Sequence, residues 1–159
     1  MNTQAQMTKP ANRQTLAWVH RLAGGLAFLL IVTFFTTSVV VDLIGDSVHI
    51  AAVKQAILYG VGGLIPAMMA TGISAAKLYP GKAKGALATK QLRMKLAAAN
   101  GALILLPAAV VLAQWSAAGQ FDVWYWRLQG LELIAGAANA TLLGLNIRDG
   151  VRMAKKKRV

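Results

Sequence analysis

The stretch LAGGLAFLLIVTFFTTSVVV, residues 22–41, holds twenty consecutive residues without a charge. As a helix it rises about 30 Å, the thickness of a bilayer's hydrocarbon core. Trp18, His20 and Arg21 stand at its start and Asp42 at its end, so polar residues bracket the apolar run. It is too long for a signal-peptide core, and no small-residue cleavage pattern follows it, so a retained helix is expected.

Three further runs repeat this design. The second lies between Gln55 and Ala76, the third covers Leu96 to Ala113, and the fourth covers Leu128 to Ile147. The spacing predicts helices over about 17–43, 48–78, 92–115 and 125–148, which together form a transmembrane domain over 15–148. Residues 1–14 read as a disordered tail and residues 149–159 as a basic one. The fold class expected is all-α: an integral membrane four-helix antiparallel bundle.

Charge sets the orientation. The chain has 159 residues, is 57% hydrophobic and carries a formal net charge of +12. A basic nucleic-acid binder would spread such charge over a solvated surface. Here it is confined to short segments between apolar runs. Fifteen of the 17 Lys and Arg residues fall in the N-terminal segment, the loop Lys77–Lys95 and the C-terminal tail, which leaves Lys54 and Arg127. Asp42, Asp46, Asp122 and Glu132, four of the five acids, fall in the opposite half. The positive-inside rule then puts both termini and the middle loop in the cytoplasm, and the expected location is a bacterial inner membrane. Trp115, Trp124, Tyr125 and Trp126 would form the outer aromatic belt. Lys155, Lys156, Lys157 and Arg158 read as contacts to anionic lipid headgroups, so lipids are expected partners and nucleic acid is not.

Cys is absent, which excludes disulfides and thiolate metal sites. No complete catalytic or metal-binding signature is present, and no soluble segment is large enough for independent chemistry. A non-catalytic role is expected.

Helix four carries the densest polar signal. Gln129, Glu132, Gly136, Asn139, Leu143 and Asn146 recur at steps of three and four and share one face. An ionisable group facing lipid costs roughly 2.5–3.5 kcal/mol, so this stripe should face the bundle interior. It reads either as a proton or ion relay or as a seam of interhelical hydrogen bonds. Glu132 needs a partner, and Lys54 near the start of helix two is the natural one, with His49 a turn away. Asp42, Asp46, His49, Lys54 and Glu132 are expected to form one outer polar cluster, with Gln129 and Asn139 continuing the relay. Gly136, Ala140 and Gly144 allow close helix approach, either inside the bundle or in a homodimer seam.

Gly60 to Pro66 and Gly101 to Pro107 share a spacing on helices that run in opposite directions. Prolines near mid-membrane can kink helices, and inverted repeats with broken helices are a transporter theme.

His20 and His49 lie a full membrane crossing apart, so one iron cannot take both as axial ligands. Haem b held by His20 alone would need a mate such as Met68 or Met69. The run His20-Arg21-Leu22-Ala23-Gly24 resembles the His-Arg-x-(Ser/Thr)-Gly element that opens the first membrane helix of succinate dehydrogenase cytochrome b subunits. Ala17 stands where that family has a serine, its second-helix haem histidine has no equivalent here, and the fourth helix is extra. The resemblance implies a quinone or haem contact through His20, Arg21 and Gly24. On that basis the chain is expected to be an anchor or accessory subunit of a redox complex, in contact with other membrane subunits. The alternative is a small carrier or proton-coupled protein that uses Glu132.

Overall fold

Four long helices and three short connections make up a computed structural model that describes residues 10–81 and 84–156. Helix α1 is Pro10–Ile44, α2 is Ser47–Leu78, α3 is Ala86–Ala117 and α4 runs Val123–Lys156. The all-helical class and the four-helix count agree with the sequence reading. Two ends differ from it. Residues 10–14, expected in a tail, continue α1, because proline is tolerated at a first helical turn. Residues 149–156 continue α4, whose last turns are tied to α3. Arg93 Nη1 donates to Asp149 Oδ2 at 2.6 Å, and Asn146 Nδ2 donates to the Lys90 carbonyl at 3.1 Å. The remaining parts of the expected tails, residues 1–9 and 157–159, lie outside the described residues.

Short connections force neighbours to run antiparallel. Ser38 near the end of α1 meets Lys54 near the start of α2, and His20 near the start of α1 meets Ser74 near the end of α2. Asp42 meets Gln129 across α1 and α4, and Asn100 meets Asn139 across α3 and α4. The helices form a ring in the order α1, α2, α3, α4, with α4 closing onto α1. The α1–α2 and α3–α4 connections share one end with Asp42, Asp46 and Asp122, here named the acidic end. The opposite, basic end holds the α2–α3 loop.

All four helices are long and apolar enough to cross a membrane, yet only 17–28% of each apolar stretch is buried inside the bundle. Leu22, Leu29, Ile44, Leu103 and Ile134 are each more than 60% exposed. In water such a surface would drive aggregation, whereas in hydrocarbon it is solvated.

Glycines let the aromatic side chains of α1 reach its neighbours. A methyl at Gly60 would fall 2.5 Å from the Phe34 ring, and methyls at Gly136 and Gly144 would meet Phe35 and Phe28 at 3.3 and 3.5 Å. The small-residue stripe of α4 is therefore filled from within the chain.

The two proline segments take different shapes. Helix α2 runs through Pro66 as a regular α-helix. Before Pro107, residues Gly101–Leu105 form a π-helical turn in which the Leu106 N–H donates to the Gly101 carbonyl. A wider turn accommodates the ring and the missing donor of Pro107. The shared spacing does not give a shared structure.

Candidate functional site

Helix α2 packs along the half of α3 nearest the acidic end but not along its other half. The divergence leaves a cavity of about 360 Å³ at the centre of the bundle. Its wall is apolar, built from Ile31, Phe34 and Phe35 of α1, Ile57, Leu64 and Met68 of α2, and Ala102 and Leu105 of α3. Ser38, Glu132 and Asn139 are its polar lining residues. Small-molecule sites span roughly 300–1,000 Å³ and combine an apolar wall with a few placed polar groups.

The polar end of the cavity is a buried ion pair. Lys54 Nζ donates to Glu132 Oε2 at 2.7 Å and to Ser38 Oγ at 2.6 Å. The Lys54 side chain is 1% exposed and that of Glu132 11%. Lys54 lies about 10 Å along α2 from its start and Glu132 about 14 Å along α4, so each reaches its partner below the helix ends. Serine suits position 38, where a small donor–acceptor sits in an apolar run and takes up a second ammonium proton. Desolvating two charges is costly, and only close geometry with added hydrogen bonds offsets it.

Around this pair the expected cluster divides. Gln129, buried on α4, donates from Nε2 to Asp42 Oδ2. Asp42 also lies within electrostatic reach of Lys54 and Glu132. Asp46 and His49 stand apart from them. Asp46 caps α2, with Oδ1 accepting the His49 backbone N–H at 2.9 Å, and the His49 ring returns to the same oxygen at 2.8 Å. Those hydrogen bonds, the backbone one foremost, hold the exposed Asp46 carboxyl below the usual range. His49, proposed as a relay member, is instead a surface residue committed to a helix cap.

The α4 stripe divides too. Asn139 lies about 10 Å along the helix from Glu132. Asn100 Nδ2 donates to its Oδ1 at 2.9 Å and to the Ala135 carbonyl at 2.8 Å. Asn139 therefore borders the cavity as part of an α3–α4 hydrogen-bond seam, not as a link in a chain to Glu132.

At the basic end, His20 Nδ1 lies 3.1 Å from the Thr71 carbonyl and 3.2 Å from the Ser74 hydroxyl. A methyl at Gly24 would meet Thr71 Cγ2 at 3.4 Å. Both residues serve the α1–α2 seam. Arg21 is exposed, with its guanidinium 5.8 Å from the Trp18 ring centroid. None of His20, Arg21 and Gly24 lines the central cavity. Met68 and Met69 line the cavity, but neither histidine does. Among the described residues, no group of three or more His, Asp or Glu side chains is placed to hold a metal ion.

Three contributors were not read as site residues from the sequence: Ser38, Asn100 and Tyr125. Tyr125 stands in sequence with the belt residues Trp124 and Trp126, yet it is 0% exposed while those two are 61% and 44% exposed. Its signal was present in the spacing, since Tyr125 extends the Gln129–Glu132 stripe one turn towards the acidic end.

The fold defines a class: an all-α bundle with four helices able to cross a membrane around a central apolar cavity. No protein-family model, curated protein or solved structure matches the chain.

Proposed function

We propose that the chain is a four-span protein of a bacterial inner membrane that holds a lipid-soluble, carbonyl-bearing molecule of the quinone class in its central cavity. It acts there as a non-catalytic subunit of a redox complex, with both termini in the cytoplasm. One observation carries the reading: an apolar cavity of about 360 Å³ reaches a buried Lys54–Glu132–Ser38 cluster at one end. The apolar wall suits a ring and the start of an isoprenoid tail, while the splay between α2 and α3 offers an entry from lipid. Ser38 is the donor nearest a headgroup carbonyl and Glu132 is the carboxylate beside it, both held by Lys54 from behind the lining. The resemblance of His20-Arg21-Leu22-Ala23-Gly24 to succinate dehydrogenase cytochrome b subunits supports the ligand class. The ligand position follows from the cavity, not from His20.

The test is equilibrium binding of a short-chain benzoquinone to the full chain in lipid nanodiscs, followed by tryptophan fluorescence. Wild type should bind saturably. Ala102→Phe, which places a ring in the cavity space, should abolish binding while the four-helix circular dichroism stays unchanged. Equal binding by the variant would refute the cavity as the site.

A second reading, a small carrier coupled to protons or ions, is favoured by the two carboxylates, Asp42 and Glu132, placed around one ammonium.

A further inference from the structure

The acidic-end cluster has an unbalanced charge. Asp42 and Glu132 bring two negative charges and Lys54 one positive. The Lys54 ammonium is committed to Glu132 and Ser38, and Asp42 makes no ion pair. Its only hydrogen-bond partner among the described residues is the Gln129 amide.

Beside it lie three buried oxygens with no hydrogen-bond partner among the described residues: Asp42 Oδ1, Gln129 Oε1 and Tyr125 OH. Gln129 is 2% exposed and Tyr125 0%. Asp42 and Gln129 are held side by side by their own hydrogen bond. Tyr125 lies one turn before Gln129 on the same face of α4, within electrostatic reach of Asp42 and Glu132. Leaving a buried polar group unpaired is costly, so three along the contact of α1 with the start of α4 mark a demand that protein atoms do not meet.

The geometry points to a sodium site formed by Asp42 Oδ1, the Gln129 side-chain carbonyl and the Tyr125 hydroxyl. A carboxylate, an amide carbonyl and a hydroxyl are hard oxygen donors, which suit alkali and alkaline-earth cations over transition metals. The charge count selects a monovalent ion: one positive charge brings the Asp42, Glu132 and Lys54 set to neutrality, and two would overshoot. A proton on Asp42 Oδ1 would also balance the charge and would partner Gln129 Oε1, but it would leave the Tyr125 hydroxyl without a partner, whereas a cation takes all three oxygens. Asp42 is only half-buried, at the end of α1, so the ion enters from the acidic end. The ion and a cavity ligand would occupy different space, since Asp42, Gln129 and Tyr125 are not among the lining residues of the cavity.

The experiment is thermal unfolding of the full chain in nanodiscs at fixed pH and ionic strength, exchanging choline chloride for sodium chloride. Ligand that binds only the folded state raises Tm with its concentration. Sodium should raise Tm in a saturable way that choline does not reproduce. Asp42→Asn keeps an acceptor for the Gln129 amide but removes the charge, so it should fold and lose the sodium shift. Tyr125→Phe should keep the shift but move its half-point to higher sodium. Identical Tm in sodium and choline would overturn the site, as would a sodium shift retained in Asp42→Asn. A Tm that rises on acidification with no sodium dependence would show that a proton balances the cluster, and would also overturn it.

Discussion

The two ends of the α1–α2 pair solve the same problem differently. Towards the basic end, His20, Thr71 and Ser74 meet through one another and through backbone carbonyls, with Gly24 admitting Thr71. Towards the acidic end, Ser38 meets Lys54, which reaches across to Glu132 on α4, and Asp42 meets Gln129. The first seam holds no carboxylate and does not line the central cavity. The second carries full charges, leaves buried oxygens unpaired and opens on the central cavity. If polar groups served only to join helices, the first arrangement would be sufficient. The acidic end therefore combines two features that the basic-end seam lacks: an ion pair whose Glu132 borders the cavity, and buried oxygens without partners among the described residues.

The largest effect should come from breaking the ion pair on one side. Lys54→Ala leaves Glu132 as an uncompensated buried charge and should destabilise the bundle by roughly 3–5 kcal/mol, read from unfolding in detergent. The seam at the other end should be less sensitive. His20→Ala removes an interhelical contact worth about 1 kcal/mol and should leave quinone binding unchanged, because His20 does not line the cavity. Loss of binding in that variant would move the site back to the His20–Arg21 element.

The smallest effect is a pH dependence confined to the α2 cap. The Asp46 carboxyl is held below its ordinary value by the His49 N–H, so its charged form favours the folded state. Its contribution is complete above the unfolded value of about 4 and is lost as pH falls through the lower folded value. Asp46→Asn, which keeps a capping oxygen, should remove that acid-side loss. Acid titration of Tm for both proteins checks it.

Much of the fold was legible from the apolar runs, because four segments of membrane-spanning length leave few other arrangements. The Lys54–Glu132 pair was also legible, since Glu132 is the one charge in the apolar run 128–147, Lys54 stands at the edge of the second run, and both count to similar depths. What the one-dimensional pattern could not supply was which polar residues look outward. Asp46 and His49 sit close to Lys54 in sequence, but local capping geometry turns them to the surface. Tyr125 sits between two belt tryptophans, yet its position one turn from Gln129 carries it inside. The cavity was not readable at all. It arises from the divergence of α2 and α3, where the π turn before Pro107 contributes Gly101, Ala102 and Leu105 to the lining, and no single residue encodes that divergence.

On the proposed function, the charged cluster serves binding and not stability. Replacing Lys54 and Glu132 together, as Lys54→Met and Glu132→Leu, removes both charges while conserving much of the volume. Replacement of a buried pair by apolar residues is often neutral or stabilising. The measurement is short-chain benzoquinone binding to this double variant in nanodiscs, with Tm recorded on the same sample. Tm should stand at or above that of wild type, with binding lost. A folded double variant that binds the quinone as tightly as wild type would contradict it.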